Sequence, residues 1–125
     1  MDARDLADRL FRNTNAALEM YAVYLGERLG YYRALAEGGP ATSAELAGRT
    51  GTAERYTREW LEHQAALGLL TAEDGRFTLP AEHIPVLVDQ DDLLFSTHQS
   101  IQLARSARRL PDLVDAYRSG GAPPD

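Results

Sequence analysis

The chain has 125 residues, 44% of them apolar, a formal net charge of −6, three histidines and no cysteine. That is enough for one domain with a modest core, and it excludes disulfides and thiolate metal sites. His63, His83 and His98 have neither HxxxH nor HExxH spacing, so no metal is expected. The acidic balance argues against a general nucleic-acid binder, because phosphate neutralisation supplies most non-specific affinity.

No stretch approaches the roughly 20 continuous apolar residues of a membrane span. The opening MDARDLADRLFRN is charged throughout and lacks the apolar centre of a signal peptide. The expected location is the cytoplasm, with no membrane partner.

Residues 3–12 read as a short amphipathic helix with Leu6, Leu10 and Phe11 on one side. Asn13-Thr14-Asn15 marks a break or recap. A longer helix follows from about Ala16, with Leu18, Tyr21, Ala22, Leu25, Leu29 and Tyr32 as one core-facing stripe. Gly26 and Gly30 weaken it, each by about 1 kcal/mol relative to alanine, and suit a kink or a close helix approach.

Gly38-Gly39-Pro40 is a turn. Thr42 or Ser43 then caps a short helix, with Ala44, Leu46 and Ala47 inward and Glu45 in the first turn, where the dipole favours a carboxylate. Thr50-Gly51-Thr52 leads into the next helix, with Thr52 as its N-cap and Gly68 as its stop. Tyr56, Trp60, Leu61, Ala65 and Leu67 form its apolar half. Arg55–Glu59, Arg58–Glu62 and Glu54–Arg58 pair at i,i+4 on the other half, which is close to self-neutralised.

Leu69–Ala72 and Arg76–Leu79 read as two strands around Asp74-Gly75, a strong hairpin signal, and Pro80 ends the second. Helix, Gly-containing turn, helix and hairpin in that order predict a winged helix-turn-helix.

Beyond it, AEHIPVLVDQDD makes a short helical turn interrupted by Pro85. Asp91 and Asp92 cap a helix running to about Leu110, whose last turn carries Arg105, Arg108 and Arg109 as the macrodipole prefers. Asp89, Asp91 and Asp92 resemble a metal cluster on paper, but helix capping explains them more simply. Leu93, Leu94, Ile101 and Ala104 lie on one side of this helix, and Phe95, Leu103 and Leu110 nearer the other. A helix apolar on two faces sits between two layers. Pro111 opens a last helix, and Gly120 to Pro124 reads as a linker.

The fold class expected is mainly α with a small β-hairpin: a winged helix-turn-helix plus flanking N- and C-terminal helices. The expected division is 1–37 N-terminal packing helices, 38–80 winged helix-turn-helix, 81–118 helical extension and 119–125 linker.

The stretch YLGERLGYYRALAEGGPATSAELAGRTGTAERYTREWLEHQAALGLL and the later DGRFTLPAEHIPVLVDQDD carry a resemblance. The pattern E-L-A…R-Y-x-R-E-W-L…Q-A-A…G, then G-R-F-x-L-P-x-E-H, resembles the N-terminal winged-helix region of class I S-adenosylmethionine-dependent methyltransferases of the actinobacterial Rv2258c-like type. It covers roughly residues 14–118. The resemblance implies a region that packs on a Rossmann-like cofactor domain, helps the enzyme dimerise and closes the acceptor pocket. This chain departs from a whole enzyme: Gly38-Gly39 and Gly120-Gly121 are isolated pairs with no strand before them, so no cofactor-binding turn is present. The sequence stops about where the catalytic domain would begin, as a piece of a longer protein or an orphan module.

The function expected is therefore a dimerisation and substrate-lid module without a cofactor of its own, S-adenosylmethionine entering only if a catalytic domain follows. The expected partners are a second copy, a methyltransferase domain or a small-molecule substrate. No residue is assigned a catalytic role. Candidate substrate-lining residues are Tyr31, Tyr32, Trp60, Phe95, His98, Gln99 and Gln102; the tyrosines and Trp60 read first as core and only second as a pocket wall. His63, at the edge of its stripe, reads as a boundary histidine rather than a base.

Two alternatives stand beside this. One is a DNA-binding regulator contacting DNA through Arg55 and Arg58, although the interleaved Glu59 and Glu62 repel phosphate. The other is a stand-alone small-molecule-binding or catalytic helper.

Overall fold

The structure, a computed structural model, describes residues 1–121. In chain order these form α1 (Ala3–Arg28), α2 (Tyr31–Gly38), α3 (Ser43–Thr50), α4 (Glu54–Leu67), β1 (Thr71–Glu73) and β2 (Arg76–Thr78). A single 3₁₀ turn (Ala81–His83), α5 (Ile84–Leu87) and α6 (Thr97–Ser119) follow. The mainly helical architecture and the winged helix-turn-helix match the sequence expectation.

The first two predicted helices are one. Thr14 does not recap the chain; its hydroxyl donates to the Leu10 carbonyl at 3.0 Å, a bond made from inside a continuing helix. Asp2 caps the start, and Asp2 and Asp5 close a reciprocal capping box. The real break is one turn after Gly26. Gly30 takes φ +75°, which a side chain resists, and starts α2 in a new direction.

That turn redirects the core. The expected inward stripe of α1 largely faces out: Leu18, Tyr21, Leu25 and Leu29 are each at least 41% exposed. The buried residues are Ala22, Val23 and Gly26. Small side chains let α2 and α4 approach, and the aromatic groups come from those helices instead.

The helix-turn-helix is set by its caps. Thr42 is the N-cap of α3, and Thr42 and Glu45 form a full capping box. Arg76 on the wing reaches the same Glu45 carboxylate at 3.0 Å, so this cap also ties the hairpin to α3. Thr52 is not the cap of α4. Ala53 holds that position, and the Thr52 hydroxyl bonds Thr50 and Thr57 side chains, both at 2.9 Å.

The wing is a two-stranded antiparallel hairpin in register Thr71↔Thr78, Ala72↔Phe77, Glu73↔Arg76. Both turn residues, Asp74 (φ 51°) and Gly75 (φ 75°), have the positive φ that matches strand twist in a two-residue loop. Leu69 and Leu70 precede the strand rather than begin it: their amides bond the Gln64 carbonyl at 3.0 and 3.4 Å and turn the chain out of α4. On its other edge Phe77 exchanges two backbone bonds with Ala41, at 2.8 and 3.0 Å. The segment before α3 thus caps the sheet edge.

The C-terminal extension differs most from expectation. Asp92 accepts from the Leu94 amide at 2.8 Å and Asp89 from the Asp91 amide at 3.1 Å, so these carboxylates close turns rather than cap a helix. Helix α6 begins only at Thr97, and Leu93, Leu94 and Phe95 are not on it. It then runs through Pro111 to Ser119 with Gly120 as its left-handed cap. The proline forgoes one bond of a 23-residue ladder without ending it. Arg105, Arg108 and Arg109 therefore lie in mid-helix, away from the C-terminal dipole. Of the expected linker, Ala122 to Asp125 lie outside the described residues.

The core is one cluster built around Tyr31, Tyr32, Leu35, Leu46, Trp60, Leu61 and Leu70. Burying leucines such as Leu46 and Leu61, both at 0% exposure, contributes roughly 1.5–3 kcal/mol each.

Two glycines should respond oppositely to alanine. At Gly26 an added Cβ would lie 2.4 Å from Tyr32 Cε2 and 2.6 Å from Trp60 Cζ2. Gly26→Ala should destabilise by about 1–3 kcal/mol through overpacking. At Gly48, inside α3, nothing lies within 4 Å, so Gly48→Ala should stabilise by about 0.5–1 kcal/mol. Denaturant midpoints of the two variants check the pair.

The capping box makes a second prediction. Bonding to the Thr42 amide, then to its side chain, holds the Glu45 carboxyl below its ordinary value, with Arg76 and Arg49 assisting. Because the folded value is the lower one, the stabilisation is present above the unfolded value and lost as pH falls through the folded one. Thr42→Ala should cost about 1 kcal/mol at neutral pH. Glu45→Gln should lose the part of the acid-limb pH dependence that falls below the ordinary glutamate range, read from thermal melts across that limb.

Candidate functional site

Three aromatic side chains meet where α1, α2 and α4 converge. Trp60 lies with its ring centroid 4.5 Å from Tyr31 and 5.2 Å from Tyr32, the latter edge-on. Its indole Nε1 donates to the Ala22 carbonyl of α1 at 2.8 Å. Gly26, one turn on, leaves the room for the rings.

The buried face of α4 is Thr57, Trp60, Leu61 and Gln64, at i, i+3, i+4 and i+7. Two of the four are polar. Tyr56, expected inward, is 71% exposed, and Leu67 is 41% exposed. The tyrosines of α2 meet the polar pair. Tyr31 Oη and Thr57 Oγ1 are 2.8 Å apart, and Tyr32 Oη donates to Gln64 Oε1 at 2.5 Å. Burial first, then the Glu19 and Glu27 carboxylates, push the Tyr32 phenol well above its ordinary value. It stays a neutral donor, unsuited to proton abstraction.

Of the candidate lining residues, Tyr31, Tyr32 and Trp60 are thus packed on one another in the core. Phe95 and His98 stack on each other at the entrance to α6, with centroids 5.7 Å apart and an interplanar angle of 20°. Gln99 and Gln102 are exposed on α6 nearby. Arg55 and Arg58 are exposed and engaged with Glu59 at 4.0 Å and Glu54 at 3.8 Å. Among the described residues no cluster of histidine, aspartate or glutamate is suited to a metal ion.

Two features escape a reading by hydrophobic period. His83 Nδ1 contacts the Leu69 carbonyl at 2.8 Å. A carbonyl only accepts, so Nδ1 carries the proton. The histidine ties the 3₁₀ turn back to the end of α4. The second feature is the outer surface of the α1/α6 pair. On α6, Leu103, Leu110, Leu113, Val114 and Tyr117 fall within about 100° of arc, and all are exposed. Thr97 and Ser100, which fall outside that arc, are fully buried and face inward. Thr97 Oγ1 donates to Glu27 of α1 at 3.1 Å, and Glu27 also pairs with Arg33. Every residue from Met1 to Ala16 is exposed, including Leu6, Leu10 and Phe11.

A helix-turn-helix, a wing pinned to its leading edge and a long helix crossing back over α1 define a winged helix-turn-helix domain with helical extensions. The chain belongs to the Rv2258c-like winged HTH domain family, whose model matches residues 16–88. No curated protein matches it. Among solved structures it is similar to the mitomycin 7-O-methyltransferase MmcR, at 26% identity and a TM-score of 0.70, over 96% of this chain and 36% of that one. The dimethyltransferase RosA from Streptomyces davawensis shares the fold at 22% identity and a TM-score of 0.77, over 97% and 35%. Human N-acetylserotonin methyltransferase, solved with SAM, shares it at 22% identity and a TM-score of 0.70, over 96% and 36%. The chain spans about a third of the length of each, in keeping with the N-terminal module of a methyltransferase.

The buried pair is testable. Gln64 Nε2 is buried without a partner, so the amide depends on the Tyr32 bond alone. Tyr32→Phe should cost about 1–3 kcal/mol by stranding Gln64 entirely. The double variant Tyr32→Phe with Gln64→Met should recover most of that loss. Chemical denaturation of the two single variants and the double completes the cycle.

Proposed function

We propose that the chain is the dimerisation and substrate-lid module of an S-adenosylmethionine-dependent methyltransferase. Residues 38–80 are the winged helix-turn-helix scaffold, and 1–37 and 81–118 carry the docking helices. The described residues contain no strand that feeds a Gly-rich turn and a helix, so the cofactor belongs to a separate catalytic domain. No step of methyl transfer is assigned to this chain. The working partners are a second copy and that catalytic domain, in the cytoplasm.

One observation carries this reading. The first four turns of α1 stand in solvent with leucines and a phenylalanine uncovered, beside the exposed stripe of α6. An isolated helix of that length is marginal in water. Apolar surface on this scale is characteristic of an interface. The stripe Leu18, Tyr21, Leu25 and Leu29 continues it along α1. At the head of α6, Phe95, His98, Gln99 and Gln102 are the residues we assign to face the acceptor molecule. Tyr31, Tyr32 and Trp60 hold the wall behind it. Duplex DNA is not favoured, because Arg55 and Arg58 are already paired with glutamates.

Sedimentation should give a dimer at micromolar concentration. Leu10→Asp combined with Val114→Asp should weaken self-association at least tenfold. Trp60 is the only tryptophan and lies in the core, so its unchanged fluorescence would show the fold intact. A folded chain that stays strictly monomeric would overturn the dimer.

A further inference from the structure

A cleft lies between α1 and α6. It encloses about 480 Å³ and is lined by Tyr24, Arg28, Ile101, Ala104, Arg105 and Arg108. Three guanidinium groups converge on it in a protein of net charge −6. Four other arginines, Arg33, Arg55, Arg58 and Arg76, each have a glutamate partner. Among the described residues, Arg28, Arg105 and Arg108 have none. The helix itself offers Arg105 no relief, since its i±3 and i±4 neighbours are Ile101, Gln102, Arg108 and Arg109. Nor does the macrodipole stabilise Arg105 and Arg108, which sit in the middle of α6.

Like charges gathered in a cleft focus a positive potential that favours an anion. Planar guanidinium groups fork onto a carboxylate with paired bonds. The remaining lining, Tyr24, Ile101 and Ala104, is apolar or aromatic. The volume falls in the range of small-molecule sites, about 300–1,000 Å³, and exceeds what a bare inorganic anion needs.

We propose that this cleft binds an aromatic carboxylate. The acid group is forked between Arg105 and Arg108 with Arg28 closing over it, and the flat ring lies against Tyr24, Ile101 and Ala104. The site is complete within one chain and needs neither a second copy nor a catalytic domain.

The probe is 2-naphthoate, titrated at low salt by calorimetry into the chain as it stands, with 2-naphthamide and inorganic phosphate as controls. Naphthoate should saturate and bind at least tenfold more tightly than either control. Arg105→Ala and Arg108→Ala should each weaken it at least tenfold, and Arg105→Lys should also lose affinity because the fork is gone. These arginines are exposed, so circular dichroism should be unchanged. As a readout independent of any variant, the Ile101 methyl and Tyr24 ring signals should shift with naphthoate in the unaltered chain. Four results would each overturn the proposal: no saturation, affinity untouched by both alanine variants, phosphate binding as tightly as naphthoate, or shifts confined to other residues. So would naphthoate exclusion together with a change in sedimentation on Arg105→Glu, which would mean that an acidic segment of a second copy fills the cleft. Monomeric behaviour alone would leave the proposal standing and count only against the dimer.

Discussion

The contact on which the domain turns is the seating of Trp60 against the backbone of α1. Its indole N–H reaches the Ala22 carbonyl, and its ring occupies the space that a side chain at Gly26 would fill. One hydrogen bond of this kind is worth only about 1 kcal/mol net. Its larger effect is geometric. It sets how deeply α4 packs on α1, and so where the wing stands and which faces of α1 and α6 are left outside. Close-packed interiors do not deform smoothly, so a single missing Cβ selects one arrangement.

Around that contact the core is partly polar, and the tyrosines explain why it is tolerated. Thr57 and Gln64 occupy positions on α4 that an apolar core would give to leucine or valine. A buried amide or hydroxyl without a partner is costly. Two adjacent tyrosines on α2 bring their hydroxyl groups to these two side chains while their rings pack on Trp60. The result ties α2 to α4 by directional bonds as well as by area, which restricts the register between them more tightly than hydrophobic contact does.

The outside of the molecule is divided along the same line. The exposed face of α4 is self-neutralised, with Arg55 and Arg58 held by glutamates. The α1/α6 side carries large apolar groups and, in the cleft between the two helices, three arginines that have no ion-pair partner among the described residues. A scaffold with a quiet recognition helix and an adhesive flank suits docking to protein and small molecules better than docking to phosphate backbone. This division follows from where Gly30 turns the chain: with α2 and α4 occupying one side of α1, its leucine stripe is left on another.

Local signals in the sequence were enough for the winged helix-turn-helix. Asp74-Gly75 between apolar runs, Gly68 after a helical period, and Thr42 with Glu45 act over a few residues, and their chemistry is the same in any fold. The family pattern over Tyr24 to Leu70 and Asp74 to Asp92 reinforced them. Tertiary structure decided which apolar stripe faced inward, that Asn13 to Asn15 would not interrupt α1, and that Arg105 and Arg108 would meet Arg28 across a cleft. Periodicity shows that a helix has an apolar face but not what that face meets. Leu18, Tyr21 and Leu25 read as core by period, yet they stay exposed; of that stripe Ala22 is buried, beside Val23 and Gly26, and Gly26 leaves the room for the rings of Tyr32 and Trp60. Polar residues buried with distant partners, such as Gln64 with Tyr32, read in one dimension as surface; their burial depends on a hydroxyl 32 positions away, which only the folded chain brings within 2.5 Å.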